Sequence, residues 1–361
     1  MSVTKVFADD GVSLQTAPLA NPTDSLKSKE LSKIRETIRG FDRTQDDYIE
    51  PQHYEFTVMM QATRTFENFV LSSNGQSIRL APDGLTKIGP FFGWRWFFFG
   101  WTFDIKNIGF KSGGLRQEFD LSIYSSQVGV DLYYRRTGND YKIRDVNLGN
   151  GINGDLFEGM PFGGVNVGIT GVSAYYIFNH EHFSYPAAFS QSTCQKISCG
   201  SWMAGAGYTN NTLELDHLAL DDALESRMPA GQEVKLDSGM MFNSIKYNDF
   251  IFSGGYAYNW VFAKNFLFCA SGQLAVSYKT SYGRTVDEKR GFDIGKVNPD
   301  FIGRFGLVYN NTRWYAGTSV ILRTNNYRTS RFTANNMYGS LNAYIGYNFM
   351  LKKKYRKKKT E

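Results

Sequence analysis

The sequence lacks any apolar run of 18 residues, and its mean hydropathy is −0.36. A transmembrane helix, which needs about 20 predominantly apolar residues, is therefore excluded. Two classes remain, a soluble protein or a barrel, because only helices and closed barrels satisfy backbone polar groups in hydrocarbon. Cysteine is scarce, with three in 361 residues. Cys194 and Cys199 share one segment and Cys269 lies in an apolar run. No second pair completes a four-ligand zinc site. A local disulfide between Cys194 and Cys199, or two buried thiols, are both open. The opening MSVTKVFADDG has no apolar core of an export signal, so a barrel reading expects either a mature chain or a start upstream.

A basic body is missing too. The net charge is +6, but Lys352 to Glu361 hold seven basic groups and one acidic one, which is +6 by themselves. The rest is close to neutral, and a nucleic-acid-binding face is not supported. The basic end reads as a solvated tail, or as a contact for anionic headgroups. No phosphate loop, cofactor fingerprint or internal repeat is present, so neither cofactor nor metal is expected.

What the chain does have is aromatic residues and glycine: 22 Tyr, 29 Phe and 36 Gly, against only 9 Pro. This suits a sheet-rich chain with aromatic girdles. Residues 1–50 read as a polar lead-in with a short amphipathic helix over 24–39, where Leu26, Leu31, Ile34 and Ile38 share a face behind Asp24 or Ser25. From residue 53 the pattern has period two. Gly339, Leu341, Ala343, Ile345, Tyr347 and Phe349 alternate with Tyr338, Ser340, Asn342, Tyr344, Gly346 and Asn348. Such alternation puts apolar and polar side chains on opposite faces of a strand.

The same test places strands near 53–62, 87–93, 97–106, 116–124, 128–136, 163–178, 199–209, 248–261, 266–279, 300–309, 313–323 and 337–349. Short turns, such as Ala263-Lys264-Asn265 and Asn310-Asn311-Thr312, alternate with long loops near 63–85, 137–162, 211–246, 280–298 and 324–336. The connection 180–198 is the exception, long but on the short-turn side. Twelve strands put both termini on that side, which in bacterial barrels is periplasmic. Residues 51–350 are thus an all-β, transmembrane, antiparallel up-and-down barrel of the bacterial outer membrane, followed by a basic tail over 351–361.

Two residue sets follow from this reading. Trp94, Trp96, Tyr258, Trp260, Trp314, Tyr347 and Phe349 collect at the short-turn end, as a membrane-interface girdle does. The opposite faces carry Glu55, Lys87, Asp104, Lys106, Glu118, Asp120, Asp131, Arg135, Asp249, Lys279, Arg304, Arg313 and Arg323, expected to line the lumen. Mixed charge there reads either as a narrow polar pore or as a salt-bridge network that blocks it. Gly129, Gly306 and Gly317 let long neighbours cross the interior or mark bends. Leu213, Leu220, Leu224 and Met228 suggest a helix within the longest loop, either a lid or a partner-binding surface.

Chemistry is sparse. His180-Glu181-His182 lacks a third metal ligand, and neither His53 nor His217 has a nucleophile fixed beside it. The expectation is a non-enzymatic barrel, either a small-solute pore or a structural and partner-binding protein. Its partners would be outer-membrane lipid and a protein at the outer loops, not nucleic acid, and its oligomeric state is open. A lipid-modifying barrel enzyme and a soluble β-barrel holding an apolar ligand are the alternatives.

The segments FDRTQDDYIEPQHYEFTVMMQ, IGPFFGWRWFFFGWTFDIK, QEFDLSIYSSQVGVDLYYRRTGNDYKI, FSYPAAFSQSTCQKISCGSW and GYAYNWVFAKNFLF together resemble the uncharacterised Bacteroidetes family known as domain of unknown function 4421. The resemblance covers about residues 41 to 350. It implies an outer-membrane β-barrel of that phylum, and it implies no activity and no functional residues.

Overall fold

A computed structural model describes residues 44–94, 97–100, 103–104, 117–136, 140–149, 151–229, 233, 235–282 and 297–356. The expected helix over 24–39 and most of the lead-in lie outside the described residues, as do residues 357–361 of the tail. Among the described residues there are seventeen strands: β1 (Ile49–Pro51), β2 (Tyr54–Ser73), β3 (Gln76–Pro82), β4 (Leu85–Trp94), β5 (Phe97–Gly100), β6 (Phe103–Asp104), β7 (Gln117–Tyr124), β8 (Val128–Arg136), β9 (Tyr141–Asn147), β10 (Val165–Ile177), β11 (Thr193–Gln195), β12 (Cys199–Leu215), β13 (Ser244–Ala263), β14 (Phe266–Tyr282), β15 (Val297–Asn310), β16 (Trp314–Arg328) and β17 (Thr333–Leu351).

Twelve form one antiparallel path, β5-β4-β2-β17-β16-β15-β14-β13-β12-β10-β8-β7, and these are the twelve read from the sequence, with β6 continuing β5 along β4. The path curls. Asp131 on β8 and Arg304 on β15 lie five strands apart, about 24 Å in a flat sheet at about 4.8 Å per step, yet their side chains form an ion pair. β2 meets β17 over their full lengths, from Ser72↔Thr333 to Tyr54↔Leu351, so the first and last long strands are neighbours.

The two faces carry opposite chemistry. Outward, Leu274 is 73% exposed, Phe252 69%, Trp202 67% and Ile345 56%. Inward, Asp131, Asp249, Lys279, Gln273 and Arg304 are buried. Water would not tolerate that outer face, nor lipid a polar one, so the surrounding medium is hydrocarbon.

The strands also overshoot the membrane. β2 and β13 have 20 residues each and β17 has 19, whereas a tilted strand crosses in about 9–11. The outward face turns polar beyond one level: Tyr208 gives way to Asn210 and Thr212 on β12, Phe250 to Asn248 and Lys246 on β13, and Leu322 to Thr324 and Asn326 on β16. These positions are cross-strand partners, Tyr208↔Phe250 and Asn210↔Asn248. Past this level the inward face becomes apolar, and Leu213, Leu215, Val165, Val167, Phe69 and Leu71 join one buried cluster. The helix His217–Glu225, N-capped by Asp216 onto the Ala219 amide, adds Leu220 and Leu224 to that cluster. The loop expected to hold a helix therefore packs its apolar side down as a cap.

β2 continues into β3 through Asn74-Gly75, both at positive φ, as a two-residue type I′ hairpin requires. β3 then pairs with β9, the strand that follows β8, and Asp83 beside it accepts from Lys142 at 2.7 Å and Arg144 at 2.8 Å. This outer ladder joins the flanks of the sheet near the two ends of the path. Those two bases hold the Asp83 carboxyl below the usual carboxylate range. A carboxyl whose folded pKa is depressed contributes stability above its unfolded pKa, about 3.9, and loses it as pH falls through the folded value. Protection of β3 and β9 amides from hydrogen exchange is thus expected to hold from neutral pH to about 5 and to weaken below about 4. Asp83→Asn is expected to remove that dependence at a cost of at most about 1 kcal/mol, since the pair is half exposed.

Glycine shapes the inner face at defined points. Tyr315 on β16 crosses β17 over Gly346, where a Cβ would lie 2.1 Å from its ring, and its hydroxyl pairs with Thr57 Oγ1 on β2 at 2.7 Å. Tyr175 crosses at Gly129 and Tyr344 at Gly317 in the same way. Gly346→Ala is expected to cost about 1–3 kcal/mol by overpacking. The temperature at which the folded electrophoretic band is lost would show it, with Gly254→Ala, open on that side, left unchanged.

Candidate functional site: the filled lumen

Between the outer apolar cap and the short-turn end lies a layer of buried charge. The Asp131 carboxylate accepts from the Arg304 guanidinium, from Arg323 at 2.9 Å and from the Ser122 hydroxyl at 2.7 Å. Arg304 and Arg323 also lie over the rings of Tyr175 and Tyr133, at 5.0 and 4.9 Å. A second group centres on Asp249, which accepts from Lys279 at 2.7 Å, Asn211 at 3.0 Å and Thr209 at 3.1 Å. Lys279 donates onward to Asn325 at 2.8 Å, and Asn325 donates to Asn211 at 3.0 Å. Glu67 accepts from Asn336, and Asp300 accepts from Ser277 and from the Asn326 amide. Among the described residues the buried charged side chains are Glu67, Asp131, Asp249 and Asp300 against Arg135, Lys279, Arg304 and Arg323. Among these described side chains four acids match four bases, in keeping with the cost of burying unpaired charge.

The short-turn end is filled by the long connection between β10 and β12. Its short helix Tyr185–Phe189, capped by Ser184 with Pro186 in the first turn, enters the sheet's concave side. Phe183, Tyr185 and Ala188 are buried against Met203, Leu267, Cys269 and Val308. Tyr185 donates to Ser271 at 3.0 Å and accepts from Arg304, which joins the inserted segment to the charged layer. Asn259 donates to the Ser184 carbonyl, and Gln191 to the Tyr344 hydroxyl at 2.6 Å. The strand β1 pairs with β11 inside this segment, and Gln45 and Lys196 extend the backbone bonding at 2.9 and 2.8 Å. The anomaly of one long connection among short turns is thereby explained: it folds inward.

Above the charged layer the space between Phe69, Ile169, Asn211, Leu213, Tyr247 and Asn336 is about 10 Å³, at the lower limit for one water.

The expected residues fall as follows. Asp131, Arg135, Asp249, Arg304 and Arg323 are buried on the inward face. Glu118 and Asp120 stand on β7 opposite Arg135 and Tyr133, and their side chains lie outside the described residues. Arg313 is a correction. It sits in the β15–β16 turn, exposed, and donates to the Tyr347 hydroxyl at 2.6 Å while lying 5.3 Å from that ring. Alternation counted it inward, but the Asn310–Thr312 turn, with Thr312 at φ 69°, breaks the period before β16 begins. Glu67 and Asn211 were missed because they lie where strand patterning changes face, in stretches read as loops.

The girdle is built from neighbouring rings. Trp94, Phe56, Phe349, Tyr347 and Trp314 run in contact across β4, β2, β17 and β16. Tyr309, Phe266, Phe262 and Trp260 do the same across β15, β14 and β13. Tyr258 is exposed on β13, and Trp96 lies outside the described residues. The exposed apolar band and the curled antiparallel sheet place the protein in a bacterial outer membrane.

The reactive groups are separate. His53 stacks on Tyr355, His182 bonds Asn179 and meets Tyr48 edge-on, and His180 lies by Tyr176. The three thiols are free. Cys199 donates to the His182 carbonyl, while Cys194 faces the Asn310 carbonyl, and burial pushes the Cys194 thiol up to about 12.

Among curated proteins none matches the chain. Solved structures similar to it include the outer-membrane protease OmpT from Escherichia coli, 8% identical over 83% of this chain and 98% of that one, with a TM-score of 0.32. The translocator domain of autotransporter NalP from Neisseria meningitidis is 9% identical over 91% and 97%, at 0.29. The toluene transporter TodX of P. putida is 8% identical over 82% and 91%, at 0.20. At such scores the fold rests on the geometry of this chain itself. The family described as Domain of unknown function (DUF4421) matches residues 43–349, and the chain belongs to it.

Proposed function

We propose that this is a non-enzymatic outer-membrane barrel whose lumen is blocked, so that its two ends and not its interior meet its partners. One observation carries the reading: the concave side holds an inserted segment bonded to a layer of buried, ion-paired side chains, under an apolar cap. A solute path would need water along the inner face, whereas Asp131 and Asp249 are ion-paired there and Glu67 and Asp300 are bonded to neighbouring polar groups. The exposed outer loops, where Leu218 is 65% exposed on the cap helix, are the surface offered to a protein partner. A lipid-modifying reaction finds little support, since among the described residues no histidine ring bonds a hydroxyl or thiol. A soluble barrel is disfavoured by the exposed apolar band.

In planar bilayers the full chain is expected to give no discrete conductance steps, and regular steps from pure protein would overturn the blocked-lumen reading. The network is expected to behave as buried ion pairs do. Lys279→Met leaves the Asp249 carboxylate unpaired and should cost about 3–5 kcal/mol, whereas Lys279→Met with Asp249→Leu should recover most of it. Urea unfolding in lipid vesicles measures both.

A further inference from the structure

Near the short-turn rim, between the inserted segment and the inner face of β13–β15, lies a cavity of about 390 Å³. Nothing in the blocked-lumen reading uses it. Its apolar wall is Val261, Leu267 and Val308 on three strands and Ala187 on the inserted helix, interrupted by the polar Gln195, Asn265 and Asn310. Cys194 projects into the same wall. Its rim carries Lys196 and Lys264 against one acid, Glu50, which leaves a net positive mouth.

We propose that this cavity binds one acyl chain with an anionic head. Three features of the site select that chemistry. The apolar wall removes hydrocarbon from water. The volume lies at the small end of ligand sites, about 300–1,000 Å³, and holds roughly a dozen methylene-sized units if each takes about 30 Å³, as a water does. Its mouth sits where the turn between β13 and β14 carries the Phe262 and Phe266 rings of the girdle on its outer face, so carboxylate or phosphate heads are the nearest amphiphile groups for the lysines to meet. The occupant is a free fatty acid or one chain of a phospholipid reaching over the rim.

Cys194 makes the site testable on the intact protein. In amphipol, without phospholipid, N-ethylmaleimide labelling at raised pH would be followed by peptide mass spectrometry, with the half-buried Cys199 as internal reference. Dodecanoate is expected to slow Cys194 labelling at least about tenfold and leave the reference unchanged. The half-protecting concentration should fall about fourfold per added methylene, from eight carbons to twelve, and then level off. Leu267→Trp, which fills the cavity, and the milder Val308→Phe should each abolish protection while keeping the folded electrophoretic band. Lys264→Glu should raise the concentration needed. In phospholipid nanodiscs, protection already present without dodecanoate would identify a phospholipid chain, and its absence a free acid. Equal Cys194 labelling with and without dodecanoate in amphipol, or protection that survives both filling variants, would overturn the proposal.

Discussion

Each long strand passes through two solvents, and the rest of the structure follows from that. In hydrocarbon every backbone N–H and C=O must be bonded within the sheet, and the outward side chains must be apolar. In water above the membrane the outward side chains turn polar. β12 shows both regimes in one strand, from Trp202, Ala204 and Ala206 outward in the lower part to Thr212 and Glu214 outward in the upper. Its inward face changes in the opposite sense, from Ser201 and Thr209 to Leu213 and Leu215. The upper part is folded like a soluble protein, with an apolar centre, and the lower part is its inverse.

The inverse part sets a problem that the inner residues solve together. Outward apolar surface gains nothing from burial, so cohesion of the lower part must come from backbone ladders, from polar contacts inside and from the apolar packing of the inserted segment. Isolated inward charges would be costly there. They occur instead as Asp131 with two arginines and Asp249 with Lys279, each completed by hydroxyl and amide groups. Tyrosines span between strands at glycines, as Tyr315 does over Gly346. The inserted helix brings Tyr185 to Arg304, so what fills the lower lumen is also wired into the layer above it.

Blocking and binding are compatible at one end of such a molecule. The inserted segment is held by β1 on one side and by Asn259, Asn310 and Tyr344 on the other. It does not fill the rim completely, and the remaining space is lined by Val261, Leu267 and Val308 of the wall strands together with polar and charged groups at its mouth. A site there would use the sheet as a scaffold without needing a path through it.

By itself the sequence determined the barrel-type sheet, its twelve-strand path and the alternation of short turns with long loops. Period-two alternation and turn chemistry are local properties, written within about ten residues, and lipid on one side makes them unusually clear. The upper strand halves do not read as strands because the apolar parity swaps there: residues 63–73, 244–246 and 333–336 lack the pattern that the lower halves display and resemble loop. Only the tertiary structure decided which charges pair and what fills the lumen. Asp131 and Arg304 are 173 positions apart, and their meeting depends on how far the sheet curls. The direction in which the 178–198 connection folds depends likewise on Ser271, Asn259 and Tyr344, contributed by other strands. Such contacts are set by the geometry of the whole sheet, which no single stretch of residues encodes.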